Sequence, residues 1–219
     1  MDLKIYQIYF DEVSENNLLK GFTPVDNKYR GKPYYENGVI YDVYKNRRNE
    51  WVNADYVGIV SWRFKEKTKL NFDLISDFIE KDEVKKDVYF MTPPMFMSFK
   101  SPIGRYGHPN VNCIAKIADK EELFPFKLYD YNIGQYVNFC NYFLVTPLVF
   151  EIYCKHYLEK TMDWLERKES AELRMALTRM YPHRNKEPYP VHPMFLEGLF
   201  PVFAHRERLS YEHILKKID

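Results

Sequence analysis

The sequence predicts an α/β fold with a mostly parallel central sheet flanked by helices. Two apolar runs, Asp55–Trp62 ("DYVGIVSW") and the segment "DVYFMTPP" that begins at Asp87, are typical of strands covered on both faces. Between them, "NFDLISDFIEKD" repeats apolar residues at helical spacing. Strand, helix and strand of these lengths form a βαβ unit, which implies parallel strands and a right-handed crossover.

The chain begins with a strand pattern. Residues Leu3–Phe10 alternate and are rich in β-branched and aromatic side chains, and the polar "DEVSENN" that follows predicts a loop. Clustered Gly, Pro, Asp and Asn then predict no regular structure before about Tyr34. From Glu36 to Asn46, apolar residues at helical spacing predict a short amphipathic helix. An opening strand followed at once by a loop is typical of nucleotide-binding folds.

The second half of the chain predicts further strands and helices. Residues 97–119 begin with a loop rich in turn formers, which we expect over the sheet edge, and end in a helix. Asn138–Thr146 has a strand pattern, and the clearest helix follows, because Thr146 can cap it and Pro147 suits its first position. The prolines of "YPHRNKEPYPVHP" exclude a helix there, whereas "FLEGLFPVFAHRERL" predicts two short helices.

Length and charge limit the classes of protein. The 219 residues, 46% of them hydrophobic, can bury one large core. We expect residues 1–219 to form a single domain, in which residues 170–219 are mostly helical and rich in proline. The formal charge is +1, with basic and acidic residues spread along the chain, so no overall field favours nucleic acid or an anionic membrane. Any anion site must therefore be local.

Cysteines and hydropathy indicate the compartment. The three cysteines form no CxxC pair, which is typical of a reducing compartment and argues against structural zinc. The amino terminus lacks the pattern of a secretory signal, and no apolar run reaches the roughly 20 residues that span a bilayer. We expect a cytoplasmic protein without a transmembrane segment, either free or peripheral to the inner face of the membrane.

Short catalytic signatures are absent from the sequence. It contains no GxxxxGK[ST], no GxGxxG after a strand, no GxSxG and no HExxH, and its six histidines lack the spacing of metal ligands. A nucleic-acid platform is also not expected, because the aromatic residues lie mostly in strand and helix stripes that are typical of core.

The strongest local candidate for a site is the end of the "DYVGIVSW" strand. Ligands of parallel sheets bind at the carboxyl ends of strands, and here an aromatic ring, a bidentate phosphate donor and two lysines follow one another. This composition suits a nucleotide diphosphate. A solvated basic turn, in which the intervening glutamate neutralises a lysine, explains the same residues, which are Ser61, Trp62, Arg63, Lys65 and Lys67.

Two further candidates lie later in the chain. Glu197 is a lone acid within the apolar "HPMFLEGLFPVF", where partial burial would raise its pKa toward the range useful to a general base. The alternative is a helix acid that faces a nearby cation such as Arg206. In "RYGHPN", Arg105 and His108 sit on a polar loop that can reach a sugar or phosphate, although turn formation alone also explains that loop.

Several segments, in the same order, resemble bacterial capsular and surface-polysaccharide glycosyltransferase-like proteins. The "YYENGVIYDVYKN" helix followed by "ADYVGIVSWRF" is similar to a "WKN"-type helix end followed by a strand close to "YIGLCHYRRY". "NFCNYFLVTPLVFEIYCKHYLE" is similar to the strand of that family that precedes a helix carrying "YC". The late "HPMFLEGLFPVF" resembles its "GFLAERL" segment, which places Glu197 at the family's acid or one residue from it.

The resemblance implies a GT-A-like (Rossmann-like) fold that transfers a sugar from a nucleotide-sugar donor to a glycan acceptor in surface-polysaccharide synthesis. The first strand and its loop, with Gln7 and Tyr9, would hold the nucleotide. We expect Glu197 to act as the base and Arg63 to stabilise the departing diphosphate. The alternative is a non-catalytic relative that keeps the scaffold as a binding or structural protein.

The sequence also departs from that family. "HYRRY" is replaced by "SWRFK", so a role of its histidine cannot be carried over. No clear Asp-x-Asp motif follows a buried strand; in GT-A enzymes that motif holds a divalent Mn or Mg ion against the diphosphate. Either Asp130 in "YDYN" or another acid supplies a metal ligand, or Arg63 and Lys65 replace the metal with their own charge.

Overall fold

The computed structural model describes residues 1–27, 34–94, 110–131, 141–178, 181–182 and 188–216. These residues contain a six-stranded sheet in the order β2-β1-β3-β5-β4-β8. Strand β5 runs antiparallel to both of its neighbours, whereas the β1/β2, β1/β3 and β4/β8 pairs are parallel. The predicted α/β architecture with a mostly parallel sheet is confirmed. The strands are β1 (Leu3–Tyr9), β2 (Thr23–Asp26), β3 (Tyr56–Val60), β4 (Val88–Phe90), β5 (Phe143–Val145) and β8 (Tyr211–His213).

Helices surround this sheet. Strands β6 (Tyr181–Pro182) and β7 (Pro188–Tyr189) pair with each other in a separate antiparallel sheet of two strands. Within the described ranges, no helix is long and apolar enough to cross a membrane. The helices are α1 (Glu12–Glu15), α2 (Glu36–Asn46), α3 (Arg48–Trp51), α4 (Phe64–Thr68), α5 (Phe72–Lys81), α6 (Val111–Lys120), α7 (Pro147–Tyr153), α8 (Lys160–Arg167), α9 (Ala171–Thr178), α10 (His192–Glu197) and α11 (Leu199–Arg206).

Strand β3 is central and buried along its whole length. Its residues alternate between two cores, since Val57 and Ile59 pack on one face of the sheet and Tyr56 and Val60 on the other. Gly58 permits the close approach of β5, because an added Cβ would overlap a backbone carbonyl of β5 and lie 2.7 Å from a leucine methyl carbon. The continuous apolar pattern therefore arises from burial on both faces.

The predicted βαβ unit is present with one addition. Strands β3 and β4 both run antiparallel to β5, so they point in the same direction, and β5 is inserted between them. Helix α5 connects them; the Asn71 side chain accepts a hydrogen bond from the Leu74 amide at 2.8 Å, and Ile75 and Ile79 form its buried face.

The long helix after β5 starts as predicted. The Thr146 side chain accepts a hydrogen bond from the Val149 amide, and Pro147 occupies the first position. Helix α7 passes into α8 through a π-helical segment, Cys154–Glu159, that the sequence pattern does not reveal. Helix α8 ends at Arg167, and the capping residue Lys168 adopts a left-handed conformation with φ of 48°.

Three predictions of irregular structure were wrong. The "DEVSENN" segment contains helix α1, in which Asp11 and Ser14 form a capping box. Strand β2 pairs in parallel with β1 before Tyr34; it is a four-residue edge strand with a proline, which carries little strand signal. The charged segment after Arg63, which one interpretation made a solvated turn, forms helix α4.

The carboxyl-terminal part combines the expected helices α9, α10 and α11 with an unexpected strand. Helix α10 begins at His192, inside the segment predicted not to be helical, because Pro193 occupies its first turn, where proline is tolerated. Strand β8 pairs in parallel with β4 at the edge of the sheet. Its three residues are too few for a sequence pattern. The loop predicted over residues 97–109 and the start of the strand predicted at residues 138–140 lie outside the described residues.

Candidate active site

Five polar side chains from separate elements converge at the carboxyl end of β3. This is the edge at which ligands bind to parallel sheets. Strand β5 enters the sheet at the same edge, because it runs antiparallel to β3. The five residues, called here the carboxyl cluster, are Glu36 at the start of α2, Ser61 after β3, Lys67 on α4, Tyr142 before β5 and Glu197 at the end of α10.

A chain of hydrogen bonds crosses the cluster. Ser61 and Tyr142 are buried, and their hydroxyl groups form a short hydrogen bond. Ser61 also hydrogen-bonds to the Glu36 carboxyl group. When Glu36 is ionised its carboxylate can only accept, so the Ser61 hydroxyl donates to Glu36 and the Tyr142 hydroxyl donates to Ser61. The Tyr142 ring is held by an edge contact with Phe64, with ring centroids 5.3 Å apart.

Both glutamates of the cluster have raised pKa values. Burial raises the pKa of Glu36 to about 7, although the charge of Lys67 and the Ser61 hydrogen bond act against the rise. Burial raises the pKa of Glu197 to about 8; the negative charge of Glu36 adds to the increase and Lys67 opposes it. Both side chains are half-buried, so each keeps some contact with solvent. Carboxyl groups that titrate near neutrality suit acid–base chemistry.

The backbone around the cluster is constrained. Tyr35 and Asn141, which immediately precede Glu36 and Tyr142, have φ values of 49° and 54°. Non-glycine residues rarely adopt positive φ, and such strain concentrates at functional sites. The Asn141 side chain donates to the Asn37 Oδ1 at 3.2 Å, so this strained position is tied to helix α2.

A separate pocket of about 220 Å³ adjoins the cluster, and three of the predicted nucleotide residues, Trp62, Arg63 and Lys65, line it. Trp62 contacts Phe10 edge-on at 6.1 Å between ring centroids, and the Arg63 guanidinium lies 5.7 Å from the Trp62 ring centroid. The pocket is lined by Asn16, Asn17, Leu18, Leu19, Trp62, Arg63, Lys65 and Glu66. It therefore lies between the loop after β1 and the end of β3. This cavity is called the Trp62 pocket below.

Arg63 is exposed and already has a partner. Its guanidinium binds both carboxylate oxygens of Glu66, with the Nε to Oε2 distance at 2.8 Å. The intervening glutamate thus pairs with the arginine and not with a lysine as the basic-turn interpretation supposed. Arg63 and Glu197 belong to different parts of the edge: Arg63 lines the Trp62 pocket and interacts electrostatically with Tyr142, whereas Glu197 faces Glu36 and Lys67.

Gln7 holds the loop that forms one wall of the Trp62 pocket. This residue is completely buried in β1. Its Nε2 donates to the Asn17 carbonyl at 3.1 Å, and its Oε1 accepts from the Leu19 amide at 2.7 Å. The side chain therefore fixes the pocket wall, and both of its polar atoms are used in doing so. Tyr9, the last residue of β1, is partly exposed at the same edge.

The structure describes one of the three remaining predicted residues, Asp130. Arg105 and His108 lie outside the described residues. Asp130 is exposed on a turn that follows α6. Across the described ranges, no three Asp, Glu, His or Cys residues are grouped so that they could hold a metal ion.

Comparison with solved structures identifies the fold. The apo structure of the bifunctional glycosyltransferase WbbM matches with a TM-score of 0.58 over 97% of this chain, at 16% sequence identity. The chain has a glycosyltransferase-like fold. It spans 44% of the WbbM chain. No protein-family model and no curated protein sequence matches.

Glu36 and Tyr142 were not predicted as site residues of this glycosyltransferase-like fold. An acid at the first position of a helix is ordinarily explained by the helix dipole, so Glu36 carries no separate signal in the sequence. Tyr142 lies in an aromatic run that indicates core. Their roles depend on α2 and β5 meeting β3 at one edge, which is a tertiary relationship.

Proposed function

We propose that this chain is a glycosyltransferase domain that moves a sugar from a nucleotide-sugar donor to a glycan acceptor during surface-polysaccharide synthesis. The observation that carries the proposal is the carboxyl cluster: two glutamates that titrate near neutrality face Lys67 at the ligand edge of a glycosyltransferase-like sheet. Sugar transfer needs a base for the acceptor hydroxyl and a cation for the leaving diphosphate, and this edge offers both.

Glu197 is the proposed base. In its ionised form it removes the proton of an acceptor hydroxyl while that oxygen bonds to the anomeric carbon of the donor sugar. The bond from the anomeric carbon to the diphosphate oxygen breaks, and the diphosphate leaves with the electron pair. With a pKa of about 8, Glu197 holds its proton below that pH, so the reactive form becomes more abundant as the pH rises.

Cations at the strand end are proposed to hold the nucleotide diphosphate. The Trp62 ring offers a stacking surface for the base, and Arg63 and Lys65 line the same pocket. The charge of Lys67 lowers the pKa of both glutamates, so Lys67 lies nearer to the reacting groups than Arg63. The Arg63 guanidinium is bound by Glu66. Binding of a diphosphate would compete with Glu66 for Arg63.

A non-catalytic binding protein is the second candidate function. The pairing of Arg63 with Glu66 favours it, because that pairing neutralises the bidentate phosphate donor at the end of β3. The same pocket could then hold a nucleotide or sugar without transferring it. The two functions differ in turnover and not in binding.

A two-stage experiment tests the proposal. Thermal unfolding is first measured with nucleoside diphosphates and nucleotide sugars, with and without manganese, for the wild type, Trp62→Ala and Lys67→Met. A ligand that binds the folded state raises Tm, and both substitutions should reduce that increase. Lys81→Met is the matched control, since Lys81 is exposed on α5 and pairs with Asp77. The absence of a shift with every nucleotide would contradict the transferase proposal.

The second stage measures sugar release or transfer from any donor that binds. Glu197→Gln keeps the shape of the side chain but removes the base, so turnover should fall by about 100-fold or more while the ligand-induced rise in Tm remains. Binding without turnover in the wild type, unaffected by Glu197→Gln, would instead support the non-catalytic protein.

A further inference from the structure

A second carboxyl group faces the proposed base. Glu36 is the first residue of α2 and Glu197 is the last residue of α10. These two helices are in contact, and the Asn37 side chain donates to the Pro193 carbonyl at 3.5 Å. The ends of two packed helices thus bring two acidic groups into one partly buried site, with Lys67 as a cation that acts on both.

Two carboxylates and one ammonium group leave an excess negative charge in this site. Removing the last proton from such a pair is costly, because like charges in a medium of low dielectric constant repel strongly. Closely coupled carboxyl groups therefore titrate as a unit in two steps, and between these steps the pair holds one proton.

We propose that Glu36 is a positioning residue for Glu197: the two glutamates hold one proton between them near neutral pH, and the charge of Glu36 makes Glu197 the stronger proton acceptor. Proton sharing follows from the arrangement of the two groups alone. Its use, in taking the proton of an acceptor hydroxyl, rests on the transferase function proposed above.

The two glutamates differ in what stabilises their charge. Glu36 accepts a hydrogen bond from Ser61, which in turn accepts from Tyr142. This chain favours the ionised form of Glu36. Burial and the Glu36 charge together favour the protonated form of Glu197. Glu36 therefore ionises first, and the shared proton resides mainly on Glu197.

Three other groups lie near the pair. Lys67 acts on both glutamates from α4, and its positive charge opposes the rise in both of their pKa values. The Tyr153 hydroxyl of α7 lies within the electrostatic reach of Glu197, but burial holds its pKa well above its usual value, so it remains neutral. His192, at the start of α10, packs edge-on against the Tyr34 ring at 5.6 Å between ring centroids.

Carbon-13 NMR of glutamate carboxyl groups tests the sharing directly. The full chain, labelled at glutamate, is titrated as wild type, Glu36→Gln and Glu197→Gln. Glu83→Gln is the matched control, because Glu83 is exposed on the loop between α5 and β4. In Glu36→Gln the midpoint of Glu197 should fall by about one unit, a tenfold loss of proton affinity, and Glu83→Gln should leave it unchanged. An unaltered Glu197 midpoint in Glu36→Gln would overturn the proposal.

The pH dependence of turnover tests the use of the pair. With a donor that binds, the acidic limb of the rate profile should move to lower pH in Glu36→Gln by the same amount as the NMR midpoint, and Glu36→Asp should restore most of the wild-type profile. A shifted midpoint with an unmoved profile would refute the positioning role. If the wild type has no turnover, the transferase proposal fails, and the titration still decides whether the proton is shared.

Discussion

The hydroxyl groups of Ser61 and Tyr142 form a buried hydrogen bond that joins the end of β3 to the start of β5. Ser61 follows β3, and Tyr142 precedes β5, which runs antiparallel to β3. The bond therefore anchors the candidate site to the rigid part of the fold, and its acceptor also supports Glu36. A site built on strand ends in this way is held more precisely than one built on loops.

Replacing Tyr142 by Phe should test that anchor. The substitution removes the donor to Ser61 and keeps the ring in its contact with Phe64, so the free energy of unfolding should fall by about 1–2 kcal/mol. The pKa of Glu36 should rise further, because Ser61 is no longer held in place to donate. Urea unfolding measures the first effect and carboxyl NMR the second. Tyr44→Phe, on the outer part of α2, is the control, and equal losses in both variants would contradict the anchoring role.

The pKa shifts of Glu36 and Glu197 predict how stability depends on pH. Each pKa is raised above its unfolded value of 4.5, so the folded state binds more protons between pH 4.5 and the folded pKa. The contribution to stability is complete below pH 4.5 and is lost as the pH rises through about 7 for Glu36 and about 8 for Glu197. Glu197→Gln removes the part of this loss that comes from Glu197.

The free energy of unfolding of Glu197→Gln, relative to wild type, should therefore increase by roughly 1–3 kcal/mol from pH 5 to pH 9. Guanidinium unfolding at four pH values measures the difference, with Glu83→Gln as the exposed control. A difference that is constant with pH would show that the pKa of Glu197 is not raised in the folded protein.

The sequence predicts the fold better than it predicts the site. Helix α2 begins and ends at the predicted residues, and β3 was identified from its apolar run, because hydrophobic periodicity reports burial directly. The short edge strands β2 and β8 could not be predicted, since three or four residues form no pattern and their pairing is set by neighbours distant in sequence. Glu197 was visible as a lone acid among apolar residues. Glu36 could not be recognised as a site residue, because only the packing of α2 against α10 brings it close to Glu197.

Gly58 should tolerate no side chain. In Gly58→Ala the new Cβ would overlap the Phe143 carbonyl oxygen and lie 2.7 Å from Leu144 Cδ2, so β3 and β5 must separate. We expect a loss of about 2–4 kcal/mol in the free energy of unfolding, because backbone cannot move aside as a flexible side chain can. Ile59→Val, the next residue of β3, is the matched control and should cost about 0.5–1.5 kcal/mol. A smaller loss in Gly58→Ala than in this control would show that the strands are not so closely packed.

Gln7 should affect nucleotide binding through the wall of the Trp62 pocket. In Gln7→Leu, the Leu19 amide loses its acceptor and the Asn17 carbonyl loses its donor, so the loop after β1 is released at a cost of about 1–3 kcal/mol. Because Gln7 is buried and its amide is already bound, the loss of nucleotide affinity should come from the displaced loop and not from a missing ligand contact. Amide hydrogen exchange of Leu19 and the ligand-induced rise in Tm measure the two effects. Faster exchange with an undiminished rise in Tm would show that this loop does not bind the nucleotide.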